Sequence, residues 1–162
     1  MIFKISLDKK TKALTILTTL LFIGAITLQS FLTGSNQYTT PLFTAVALII
    51  YFGIYTYRPV AYELTERQLI IHRFLSEVKI DTDKIITVTR LDNNKLAGSI
   101  RVFGVNGFYG YFGKFANREM GFMTWYASRK NKLVLILTTD NKKIILTPDE
   151  PDEFVTAFSN RL

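Results

Sequence analysis

ALTILTTLLFIGAITLQSFLT, residues 13–33, runs for 21 residues without a charge. A helix rises about 1.5 Å per residue, so this stretch reaches about 31 Å, the thickness of a bilayer's hydrocarbon core. Its threonines and glycine are compatible with a span, because a helix satisfies its own backbone and small residues admit a neighbouring helix. A second run, PLFTAVALIIYFGIYTY at residues 41–57, has 17 residues. It opens on a proline, which costs nothing in a first helical turn. Tyr51, Tyr55 and Tyr57 gather toward its far end, as amphipathic aromatics do at a headgroup boundary. A spanning pair outranks two core helices, since runs this long rarely share one small soluble core. It also outranks a cleaved leader, since no small-x-small site follows the first run.

The flanking charges orient the pair. Lys4, Lys9, Lys10 and Lys12 precede the first run, Arg58 and Arg67 follow the second, and the connection GSNQYTT at 34–40 carries none. The positive-inside rule predicts antiparallel helices with both termini in the cytoplasm and the short turn outside.

Beyond the helices, about 100 of the 162 residues remain, enough for one compact domain. The predicted division is a helical hairpin over 1–60 and a folded domain over 61–162. A charged fraction of 20% against 48% hydrophobic residues argues against a disordered chain. Cysteine is absent and His72 is the sole histidine. Thiolate chemistry, iron–sulfur clusters and multi-histidine metal sites are thereby excluded, and a Ser-His-Asp triad would have to use His72.

After Arg58-Pro59 the pattern turns to β. Enrichment in β-branched and aromatic residues between turn residues predicts strands near 61–65, 68–74, 77–81, 85–91, 100–103, 108–112, 122–127, 132–138 and 143–146. Asp140-Asn141 marks a hairpin turn. A last helix begins near Thr147-Pro148-Asp149-Glu150, with either a capping box from Thr147 or Asp149 as cap and Pro151 in the first turn. Phe154, Val155, Phe158 and Leu162 share one face and Arg161 sits at its end.

That order of segments resembles the bacterial PH domain family of small membrane proteins. The resemblance is carried by YELTERQLII from Tyr62, by DTDKIITV, by GSIRVFGVNGFYGYFGKF and by GFMTWYASRKNKLVLILTTDNKKIILTPDEPDEF. It covers about the last 100 residues. It implies a mainly β protein with membrane α: a transmembrane helical hairpin followed by a pleckstrin-homology-like β-barrel, partly open and capped by a C-terminal helix. A bacterial inner membrane is the implied location. Such folds host lipid, peptide and protein binding alike, so the resemblance alone names no ligand.

The glycine–aromatic stretch 98–121 offers two readings. Glycines permit bulges and bends while aromatics fill a small barrel; alternatively, an aromatic loop dips into the lipid interface or grips a partner. A dinucleotide loop is disfavoured because aromatics occupy the helix start it needs. A partial likeness to an RNA-stacking motif is outweighed by the anchor, so no nucleic-acid partner is expected.

From Arg90 to Lys132 there are eight basic residues against two acids. Arg90, Lys95, Arg101, Lys114, Arg118, Arg129 and Lys130 are the candidate contacts to anionic headgroups or an acidic protein partner. The opposing reading scatters them on solvated turns. Asp81-Thr82-Asp83 reads as a turn cap, since two carboxylates do not complete a hard-cation shell. His72, Trp125, Glu119 and Asp92 form no convergent catalytic set. No catalytic residue, metal site or cofactor is predicted. The function predicted is non-enzymatic binding to membrane lipids or a protein partner at the cytoplasmic face. A structural or assembly subunit of a larger membrane complex is the alternative, with Gly24, Ala25, Ala45, Ala47 and Gly53 as packing positions; the oligomeric state stays open.

Overall fold

The computed structural model describes residues 1–32 and 38–160. The predicted outer turn lies largely outside the described residues, as do Arg161 and Leu162 at the C-terminal end. Both uncharged runs are helical, as α1 (Lys9–Leu32) and α2 (Thr39–Tyr57). α1 starts one turn before its apolar run because Asp8 caps it: the Thr11 amide donates to Asp8 Oδ1 at 2.7 Å. α2 ends where Arg58 turns extended ahead of Pro59.

Both helices are long and apolar enough to cross a membrane. They do not form the protein's interior. Only Thr11 and Thr15 of α1 are buried, and no residue of α2 is. Leu17, Leu20, Phe31, Leu42 and Ile49 are each more than half exposed. Helices with so much exposed apolar surface are suited to an apolar solvent.

The strands fall into two sheets. The first has the order β1 (Ile2–Lys4), β2 (Pro59–Leu64), β3 (Gln68–Arg73), β4 (Glu77–Asp81), all antiparallel. The second comprises β5 (Ile85–Leu91), β6 (Ile100–Asn106), β7 (Tyr111–Asn117), β8 (Gly121–Ala127), β9 (Leu133–Thr138) and β10 (Lys143–Leu146), in the order β5-β9-β10-β8-β7-β6. Its β8–β10 pair is parallel and its other pairs are antiparallel. α3 (Pro151–Ser159) follows.

The domain is therefore the expected set of strands with a C-terminal helix, but its barrel is not closed. A 3-10 turn over Thr82–Lys84 carries the chain from β4 to β5, and no strand pairing joins one sheet to the other among the described residues. One strand lies outside those predicted, and two local expectations are corrected. The first sheet takes its edge strand from before α1, with Phe3 opposite Tyr62. The strand predicted over 108–112 begins only at Tyr111, because Gly107, Tyr109 and Gly110 all have positive φ and close a turn through the Gly107 amide to the Gly110 carbonyl, 2.8 Å. α3 is capped by neither Thr147 nor Asp149: its first residue is Pro151 and Glu150 precedes it. Asp149 Oδ1 instead accepts from the Ser6 hydroxyl at 2.7 Å and from Arg129, and Thr147 Oγ1 accepts from the Ser128 amide at 2.9 Å.

The main core lies between the first sheet and the β5–β9–β10 part of the second. Leu64, Leu69 and Ile71 meet Val134, Ile136, Ile144 and Leu146, and Phe154 and Phe158 of α3 seal it. Tyr62 is wholly buried there. Its hydroxyl donates to the Tyr126 carbonyl and accepts from the Thr147 amide at 3.0 Å, tying the two sheets together. Burial pushes its phenol well above the ordinary range. A second core, around Phe115, Met123, Trp125 and Leu133, fills the opposite face of the second sheet beneath Leu96.

Candidate functional site

The second sheet reaches past the first. On β6, β7 and β8 one set of side chains faces away from the Trp125 core. Phe103 stands opposite Lys114, which stands opposite Thr124; Val105, Phe112 and Tyr126 form the next row. Gly53, Ile54 and Tyr57 of α2 complete a groove along this face, with a volume of about 590 Å³. Phe103 is 77% exposed at its rim.

Two glycines shape the groove floor. Gly104 and Gly113 are register partners with φ of +112° and +122°. A Cβ on Gly104 would stand 2.2 Å from the Phe112 carbonyl oxygen, and one on Gly113 would stand 2.3 Å from that of Phe103. The backbones approach so closely that no side chain fits at either position, and both glycines line the groove.

Two cations line the groove. Arg73, at the end of β3, lies over the Tyr126 ring at 5.0 Å and the Tyr57 ring at 5.7 Å. Its Nε is buried without a hydrogen-bond partner, and among the described residues no carboxylate pairs with its guanidinium. Lys114 Nζ donates to Thr124 Oγ1 at 2.7 Å and has no acidic partner among the described residues.

The turn over 107–110 is clamped onto both helices. The Tyr109 amide donates to Thr15 Oγ1 at 3.0 Å, and the Tyr109 hydroxyl shares a 2.7 Å hydrogen bond with that of Tyr51. Tyr51 in turn shares one of 3.1 Å with Thr19. Phe108 packs on Phe22 and Tyr51 at centroid distances of 6.2 and 5.4 Å. Burial first, then the hydrogen bond with Tyr51, pushes the Tyr109 phenol up to about 12, so it stays neutral. A second hairpin tip joins from the other sheet: Phe74 meets Tyr55 at 5.4 Å, beside the Tyr55–Tyr109 pair at 5.2 Å. Leu75, its neighbour, is 76% exposed. Arg58, at the base of α2, stacks on Tyr55 at 4.2 Å, and its Nε too is buried without a partner.

The seven basic residues singled out from sequence do not converge. Lys114 is in the groove. Arg101 and Arg118 are exposed near the opposite end of the β6–β7 hairpin, and Lys95 joins them there, its carbonyl accepting from Asn117 Nδ2 at 2.8 Å. Arg129 points inward, is only 7% exposed, and spends its hydrogen bonds on the Ser6 carbonyl and Asp149. Arg90 forms an ion pair of 2.6 Å with Asp152 of α3. Lys130 lies over the Tyr111 ring at 4.9 Å. His72 is held between Glu63 at 2.8 Å and Glu77 at 3.1 Å. Asp81 accepts from Lys84 at 2.6 Å and Gln68 at 2.9 Å, which holds its carboxyl below the usual range. No cluster of three metal-ligating side chains occurs among the described residues.

Sequence reasoning missed Arg73. Its place depends on the register that sets it opposite Pro59, directly after α2, and no spacing along the chain reveals that pairing. Against known proteins, the bacterial PH domain family profile matches residues 60–162. No curated protein and no solved structure matches.

Proposed function

The chain belongs to the bacterial PH domain family, and from that premise we propose a non-enzymatic, membrane-anchored binding module whose two hairpin tips work inside the lipid interface of the inner leaflet. The observation that carries this reading is the depth of the clamp. α2 has 19 residues, about 28 Å at 1.5 Å per residue, so it spans a core of about 30 Å only by using its whole length. Tyr51 lies about 9 Å before its end. The turn that touches Tyr51 is then below the headgroups, and its polar groups are met by the helices: the Tyr109 hydroxyl by Tyr51 and the Tyr109 amide by Thr15.

Phe74 and Leu75 lie at the same end of α2, where an exposed apolar tip is suited to acyl chains. Lys4, the lysines of the first turn of α1 and Arg58 after α2 favour the cytoplasmic leaflet. Both termini are then cytoplasmic. Anionic headgroups are the favoured contact, drawn by Arg73 and Lys114, which have no acidic partner among the described residues.

The chain has no cysteine, so a single substitution gives a single label. A nitroxide on Leu75→Cys, in the full chain reconstituted into vesicles of phosphatidylcholine with one quarter phosphatidylglycerol, is expected at acyl or headgroup depth by oxygen and nickel accessibility. The same label on Asp140→Cys is expected in water. Equal aqueous exposure at both sites overturns the reading.

A further inference from the structure

We infer that the groove between α2 and the outer face of β6–β8 holds one anionic phospholipid, its phosphate on Arg73 and Lys114 and an acyl chain along Ile54, Phe103 and Phe112. The inference rests on the membrane-interface reading above and adds a defined site and ligand class to it.

Three observations converge. One wall of the groove is a helix whose other sides are fitted to lipid, so the groove opens directly onto the bilayer. Its lining is mostly apolar, with a volume of about 590 Å³, within the range of small-molecule sites and shaped for a chain rather than for water. Its two cations have no acidic partner among the described residues. Arg73 is half-buried, its Nε is closed off without a hydrogen-bond partner, and among the described residues no carboxylate pairs with its guanidinium, so its open N–H groups are free to take an anionic acceptor at the groove. The tyrosines on either side fix that guanidinium between helix and sheet, and a phosphate is the acceptor a planar fork takes best. A neutral lipid leaves one net positive charge more uncompensated there than an anionic one does.

The test is native mass spectrometry of the full chain in a neutral detergent, titrated with dioleoyl phosphatidylglycerol or dioleoyl phosphatidylcholine. One phosphatidylglycerol is expected to be retained per chain, at least tenfold more tightly than phosphatidylcholine. Arg73→Gln with Lys114→Gln should remove that preference. Gly53→Leu should remove retention of both lipids while keeping both cations: a Cβ at Gly53 meets nothing within 4 Å, so the side chain fills the groove without disturbing the helix. Arg101→Gln with Arg118→Gln should leave the preference unchanged. Equal retention of the two lipids, or loss of the preference only with the Arg101 and Arg118 pair, overturns the inference. So does a lipid-free dimer that places a second helix in the groove. If the Leu75 label lies in lipid and no lipid is retained, the groove assignment fails while the interface reading stands; an aqueous Leu75 label removes the interface reading itself.

Discussion

The two halves of the β domain solve opposite problems. Where the first sheet covers β5, β9 and β10, the facing apolar side chains find protein: Tyr62, Leu64, Leu69, Ile71, Phe154 and Phe158 are fully buried. Where β6, β7 and β8 run past the first sheet, apolar groups are left bare, with Phe103 at 77% and Val102 at 55% exposure, and Lys114 has no acidic partner among the described residues. The first half is organised to close a core. The second keeps a face open and spends a pair of glycines and a clamped turn to hold it beside α2. In a membrane protein such an open face is stable when lipid is its solvent, which is why the second half carries the function proposed.

The largest effect expected belongs to the closed half. Phe154→Ala removes a fully buried ring that meets Phe3 edge-on at 4.9 Å. It should destabilise the domain by about 3–5 kcal/mol. The single tryptophan, Trp125, is buried at 2% and reports unfolding by its emission during denaturant titration in detergent. An unchanged midpoint would mean that α3 is not part of the cooperative core and would break the contrast.

Gly113→Ala attacks the open half. The added methyl meets the Phe103 carbonyl, and the residue must keep a φ of +122° that only glycine adopts readily. A cost of about 2–4 kcal/mol is expected, confined to β6 and β7. Hydrogen exchange should accelerate across the β6–β7 pairing while Leu64 and Ile71 amides stay protected. Uniform acceleration over both sheets would show that the halves unfold as one.

The same contrast governs what was legible in the sequence. The helices are legible because charge is absent over whole spans, and most strands because β-branched and aromatic runs are punctuated by turns. These signals are local. β1 was not legible, because IFK is too short to carry a period and becomes a strand only by pairing with β2. The 107–110 turn reads as strand because Phe108 and Tyr109 are strand formers, and the glycines around them decide otherwise. Which strands pair, and where the partly open barrel parts into two sheets, is a property of pairing, which no strand propensity encodes. The basic residues illustrate the limit most plainly: Arg129 and Lys114 are indistinguishable in sequence, yet one is consumed by Ser6 and Asp149 from distant parts of the chain and the other lines a groove. Arg73 entered that groove through cross-strand register alone.

Tyr109→Phe sharpens the comparison at the seam between domain and helices. The ring contacts with Tyr51 and Tyr55 persist, and only the hydroxyl bond to Tyr51 is lost. The cost should be about 0.5–1.5 kcal/mol of docking, since Tyr51 keeps Thr19 as partner. Exchange of the Tyr109 amide, which donates to Thr15, should quicken several-fold with no shift in the Trp125 unfolding midpoint. A fall in that midpoint would mean that the clamp also stabilises the sheet.

Arg90→Gln is the smallest effect expected and the one that tests whether charge alone explains lipid contact. Arg90 belongs to the same basic segment as Lys114, and a purely compositional account gives them equal weight. The structure separates them. Arg90 projects from β5, in the closed half, and pairs with Asp152 on α3, both side chains more than half exposed. A pair so open to solvent contributes about 0–1 kcal/mol to stability, so the unfolding midpoint should barely move. Phosphatidylglycerol retention should not change at all. The reciprocal variant is more pointed: Asp152→Asn frees Arg90 and raises the net charge by one, which strengthens lipid retention if total charge is what matters and leaves it unaltered if the ligand sits in the groove. Retention that tracks net charge across both variants would erase the distinction between the halves, because the membrane would then be reading the sum of the charges and not their place in the fold.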